Sequence, residues 1–198
     1  MIFILIKRFE NFDWSKFSKY DELKKRLKKF NIPLNKWGKG DNKTIGHLLS
    51  ELKEGETHLE EKDGNLIRNV NFVGAKIIYI DENNDKWKLV EEKQVFKDGR
   101  KRIRGKMPYG MAEKFKMGED PKNVIIRGMK EELDIDLSKE QFVFYNKINF
   151  RLDSDYPGIE SYHKGYEFLV VLNKDQYKEE GYKEFQEDKT VYFKWVKI

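Results

Sequence analysis

One stretch constrains the fold more than any other: residues 121–133 form the one clear helical signal in the second half of the chain, set among runs in which apolar and polar residues alternate. Asp120 is a good N-cap, Pro121 suits the first helical position because its missing N–H would be unpaired there anyway, and Gly128 is the only breaker inside. The order strand, helix, strand, strand, strand that results is an α+β pattern with a mixed sheet. A core for it is available, since hydrophobic residues make up 38% and aromatics 14% of a chain that is also 38% charged. That is too much buriable surface for a disordered polymer.

At 198 residues the chain can build one domain of about 140 residues and an appendage. The change of period places the appendage at 1–55 and the main domain at 56–198. Residues 2–6, Ile-Phe-Ile-Leu-Ile, read as a buried strand, and Lys7 and Arg8 follow where a secretory signal would still be apolar. Ser18 can cap a helix in which Tyr20, Leu23, Leu27 and Phe30 recur at helical spacing, and Pro33 ends it. A second helix with Ile45, Leu48, Leu49 and Leu52 on one face stops at Gly55. Asp63 and Gly64 then mark a hairpin turn that needs positive φ. Strands are expected at 66–80, 87–96, 141–152, 166–172 and 191–196, with a loop at 153–164 and a connection at 174–182.

The chain has no cysteine, which excludes disulfides, thiolate metal sites and cysteine nucleophiles. His47, His58 and His163 are scattered without zinc-site spacing, and neither a phosphate-loop nor a G-x-S-x-G pattern occurs. No apolar run approaches the roughly 18 residues of a membrane span, so no membrane partner is expected and the cytoplasm is the default location. The net charge of +5 hints weakly at anionic partners. The basic run from Arg100 to Lys106 lacks interleaved aromatics for base stacking, so nucleic acid is not the favoured partner.

Each helical residue advances about 100°, so positions 128, 131 and 132 share one face while Ile125, Met129 and Leu133 turn toward another. Glu131 and Glu132 offer hard oxygen ligands that suit Mg²⁺ or Mn²⁺, ions that neutralise phosphate oxygens. Arg127 and Glu131 are also an i,i+4 pair of the kind found on any solvated helix.

The segment from Gly118 to Ile135 resembles the box of the Nudix family, G-x5-E-x7-R-E-U-x-E-E-x-G-U with U aliphatic. Glu119, then seven residues, then Arg127, Met129, Glu131, Glu132 and Ile135 fall on it. Three positions depart. Gly128 stands where a glutamate belongs, Asp134 replaces the late glycine, and the leading glycine, Gly110, is separated from Glu119 by eight residues instead of five. Lys106-Met-Pro-Tyr-Gly110 holds the place of the family's Leu-Pro-Gly-Gly. The resemblance covers roughly 56–198. It implies a Nudix-type α/β/α sandwich with a mixed β-sheet, preceded here by an N-terminal strand and helical cap.

It also implies a hydrolase dependent on Mg²⁺ or Mn²⁺ that cleaves a phosphoanhydride in a nucleoside diphosphate linked to another group. Glu131, Glu132 and Arg127 would then be catalytic, with metal held by Glu131, Glu132, Glu119 and Glu113. The carboxylate missing at Gly128 is one of the family's metal-binding and water-activating glutamates. Either Glu119, Glu113 or Glu160 supplies the third ligand, Glu160 also being a candidate general base, or the module binds a nucleotide or a partner protein without turnover. A mid-helix glycine costs roughly 1 kcal/mol relative to alanine, so close approach of a ligand or another backbone is expected there. Arg100, Arg102, Arg104 and Lys106 could hold a polyphosphate or simply guard a solvated edge. Tyr156 and Tyr162 could stack a base or be buried in a crossover.

Overall fold

The computed structural model describes residues 19–104, 108–152 and 154–198; the strand expected at 2–6, the cap Ser18 and Lys106 lie outside the described residues. The chain groups into two compact units. One runs up to Val70 and takes in Phe150–His163, and the other comprises Asn71–Asn149 and Lys164–Ile198. This grouping follows spatial contact, whereas the division at residue 55 follows the change of period.

In the first unit α1 (Tyr20–Lys28) packs on α2 (Ile45–Glu54). Leu23 and Leu27 from α1, with Ile45, Leu48 and Leu52 from α2, form its apolar cluster, as their helical spacing predicts. Thr44 caps α2 by accepting from the His47 N–H, while the His47 ring accepts from the Thr44 N–H. Gly55, at φ 75°, ends the helix in the left-handed conformation. β1 (Thr57–Lys62) folds back on the first residues of β2 (Asn65–Ile80). Asp63 and Gly64 between them take φ of 50° and 78°, as the expected tight hairpin requires.

The second unit is a sheet carrying one helix. The strand segments that fall in it run in the order β6 (Phe142–Leu152), β7 (Glu160–Leu172), β2, β3 (Lys86–Phe96), β9 (Lys189–Lys197), β8 (Tyr182–Phe185). β4 (Lys101–Ile103) pairs with β3, and β5 (Met111–Lys114) pairs with β2. The α+β class with a mixed sheet is thus the class the chain adopts. β5 and β8, at four residues each, are too short for alternation to announce them, and β7 begins at Glu160 instead of 166.

α3 (Pro121–Leu133) packs on β5 and β8, burying Val124, Ile125, Met129 and Leu133. Asp120 caps it by accepting from the Lys122 N–H at 3.0 Å. Asp134 ends it at φ 55°, a conformation aspartate tolerates better than most residues, which is how the chain manages without the box's late glycine. No helix among the described residues is long and apolar enough to cross a membrane.

Candidate functional site

Along β3, β5 and β9 the side chains facing α3 begin as core and end as polar groups. Leu89 is followed on β3 by Glu91, and Met111 on β5 by Glu113, each pair two residues apart and therefore on one face. Where the apolar residues give out, a cavity of about 210 Å³ opens, and Glu91, Glu113, Glu132 and Glu184 all line it. Glu132 and Glu184 also border a second, larger cavity together with Glu131.

These carboxylates disturb one another. Burial pushes the Glu132 carboxyl well above the usual glutamate range, and the charges of Glu184, Glu113, Glu91 and Glu131 add to the effect. Burial raises the Glu184 carboxyl as well, with Glu91 adding and Gln186 and Lys189 opposing. Both shifts mean that the fold resists ionising this cluster as it stands.

Arg127 braces the helix from the flank. It pairs with Glu119 and lies 3.9 Å from both Glu113 and Glu131. Burial alone would depress the guanidinium pKa, yet the acids around it hold it raised. Glu119 also accepts from the Lys116 N–H at 3.2 Å, so this ion pair ties the approach loop to α3.

Gly128 marks the closest approach of α3 to β5. A Cβ there would stand 2.9 Å from Met111 Cε and 3.3 Å from Glu113 Cβ. The Met111 thioether fills the space that a side chain at 128 would use, which accounts for the mid-helix glycine. Two residues before Met111 stands Tyr109. Its hydroxyl donates to Glu167 at 2.8 Å, and its ring lies so near Gly74 that a Cβ there would be 2.7 Å away. Burial and the Glu167 carboxylate push the Tyr109 phenol up.

Of the residues singled out from sequence, Glu113, Glu132 and Arg104 line the smaller cavity, Glu131 borders the larger, and Glu119 and Arg127 brace the helix. Arg100 and Arg102 lie at the β3–β4 turn over the Phe96 ring, at 4.8 and 5.6 Å. Of the described residues, the remaining three belong to the first unit. There Tyr156 is fully buried against Trp37, Tyr162 lies under the Arg151 guanidinium, and Glu160 is 3.8 Å from Arg151. Sequence reasoning missed Glu91 and Glu184. For Glu91 the signal was present, an acid at a position where period two calls for an inward apolar residue.

Among the described residues, no group of three acidic or histidine side chains sits close enough together to hold a metal ion as it stands. No family model matches the chain. No curated protein matches it either. Among solved structures, the chain is similar to a MutT/nudix family protein from Enterococcus faecalis, at 13% identity and a TM-score of 0.46, over 78% of this chain and 51% of that one. It therefore spans about half the length of that protein. An Ap4A hydrolase from C. elegans is 17% identical with a TM-score of 0.36, over 64% of this chain and 79% of that one. The Nudix domain of Shewanella oneidensis NrtR, complexed with ADP ribose, is 7% identical with a TM-score of 0.38, over 65% and 73%. Likenesses this weak carry no argument about activity.

Proposed function

We propose that the cavity beside α3 is a divalent-metal site that hydrolyses a phosphoanhydride in a nucleotide-like diphosphate, the reaction implied by the Nudix resemblance. The observation that carries this reading is the crowding of Glu132 by Glu91, Glu113 and Glu184 in one cavity, with its carboxyl held well above the ordinary range. A doubly charged cation relieves such crowding. Mg²⁺ keeps several of its waters and takes only one or two carboxylates from the protein, so it would not need three of these acids drawn together.

In this reading Glu132 and Glu113 hold the ion and Glu131 supports it from the flank. When bound, such an ion neutralises the phosphate oxygens. Glu184 stands in for the carboxylate absent at Gly128 and accepts the proton as water adds to phosphorus and the bridging P–O bond breaks. Lys189, on the same cavity, attracts the phosphate charge. Arg127 positions Glu113 and Glu119 and touches no substrate.

The test is release of phosphate or nucleotide from a panel of nucleoside diphosphate derivatives with Mg²⁺ or Mn²⁺. Wild type should turn over at least one of them and Glu132→Gln far more slowly; identical rates in both would refute the hydrolase. A second reading, binding without turnover, is favoured by Met111 filling the place of the missing glutamate. Under it, wild type binds but does not cleave, and Gly128→Glu combined with Met111→Ala to make room should create hydrolysis.

A further inference from the structure

β3 departs from regularity at one point. Glu91 pairs with Phe193 on β9, but Lys93 pairs with the adjacent Tyr192, so Glu92 is an extra residue. On an unbroken strand Glu91 and Gln94, three apart, would face opposite sides of the sheet. The bulge returns Gln94 to the side of Glu91, and both line the cavity with Val191 and Phe193. Glu92, the extra residue, accepts the Arg104 N–H through its carbonyl at 2.9 Å. One irregularity thus brings Gln94 into the cavity and anchors Arg104 beside it.

Gln94 is 9% exposed. Its amide nitrogen donates to Glu91 Oε1 at 2.8 Å, which fixes the amide orientation, because a carboxylate can only accept. Its Oε1 is then buried with no hydrogen-bond partner among the described residues. Arg104 Nε is likewise buried, without a hydrogen-bond partner among the described residues, and 3.6 Å from the same Glu91 oxygen. An unmet acceptor and an unmet donor therefore flank one carboxylate. Buried polar groups left unpaired are a standing cost to the fold. One water would need only about 30 Å³, and the cavity offers about 210 Å³.

We propose that Gln94 and Arg104 form a subsite that reads an N–H donor beside an acceptor on a planar ligand, the pair offered by the edge of a nucleobase. The ligand N–H donates to Gln94 Oε1, and its neighbouring oxygen or ring nitrogen accepts from Arg104 Nε–H. The inference rests on the reading of this cavity as a phosphoanhydride site and adds which part of the ligand lies against β3.

Calorimetric titration of the full chain with inosine, adenosine, and forms of each methylated to remove the donor N–H tests it. Wild type should bind the parent nucleosides at least about tenfold more tightly than the methylated ones, and Gln94→Met should erase the difference. A preference for inosine or for adenosine tells a carbonyl acceptor from a ring nitrogen. Equal binding of parent and methylated forms, no nucleoside binding, or a gap that survives Gln94→Met overturns the subsite. Should Gln94→Met fail to fold, Arg104→Met at the partly exposed position, which removes the donor to the ligand's acceptor, should weaken binding of the parent nucleosides about tenfold while the gap to the methylated forms persists; unchanged affinity for the parent nucleosides overturns the subsite. Discrimination by a protein that hydrolyses nothing would support the subsite and refute the hydrolase, whereas hydrolysis indifferent to methylation and to Gln94 would refute the subsite alone.

Discussion

Glu51 in the first unit and Glu132 in the second are treated in opposite ways. In the first unit Glu51 is 5% exposed and surrounded by cations. Arg68 donates to one of its oxygens from Nη2 and Nε at 2.7 and 3.2 Å, and Lys43 reaches the other at 2.6 Å. Ser161 takes a further Arg68 N–H at 3.3 Å. In the second unit Glu132 meets Glu184, Glu113 and Glu91, and burial holds its carboxyl up. A buried charge that is fully paired belongs to the architecture. One crowded by its own kind is kept at a standing cost, a pattern found where a site awaits a cation or a proton.

The contrast can be broken most sharply at Glu51. Glu51→Ala should destabilise the protein by about 3–5 kcal/mol, because it strands a buried guanidinium; urea denaturation measures this, and a change below that range would mean the network is not structural. Glu132→Gln should do the reverse. It should lower metal-dependent turnover by about a hundredfold, on the order of 2.7 kcal/mol of barrier, while leaving the melting temperature at neutral pH unchanged or higher. Gly128→Ala gains about 1 kcal/mol of helix propensity but overpacks Met111 by about 1–3 kcal/mol. A net loss of about 1 kcal/mol in denaturant titration is expected, and a gain would show that Met111 yields freely.

The smallest effect is on pH dependence. Because the Glu132 carboxyl is raised in the fold, the native state keeps a proton that the unfolded chain has already lost. The associated stability is complete below the ordinary glutamate pKa and disappears as pH rises through the raised one. Wild type and Glu132→Gln should therefore be equally stable in acid, with the variant pulling ahead toward neutrality in denaturation midpoints taken across the range.

What could be read from the sequence was whatever depends on neighbours along the chain. The Asp120 cap, Pro121, the end of α2 at Gly55 and the Asp63–Gly64 turn all follow from local backbone chemistry and stand where expected. The candidate site was only half legible. Glu132 and Glu113 could be named, but Glu184 lies on a strand of four residues, too short to show a period. Gln94 faces the cavity only because of the Glu92 bulge, which alternation cannot foresee. The glycine at 128 looked like a missing ligand, and its reason, the Met111 side chain from β5, is a contact between residues far apart in sequence. For Tyr156 the loop composition left base stacking and burial both open, and its ring lies in the core of the first unit.

The most direct measurement is titration of the full chain with Mn²⁺ in buffers of different ionisation enthalpy, which counts the protons released on binding. Binding accompanied by proton release, with less released by Glu132→Gln, is the predicted result, since an arriving cation must displace the proton that burial has kept on Glu132. No binding, or binding that releases as many protons from the variant as from wild type, would contradict the claim that the crowded carboxylates are a metal site.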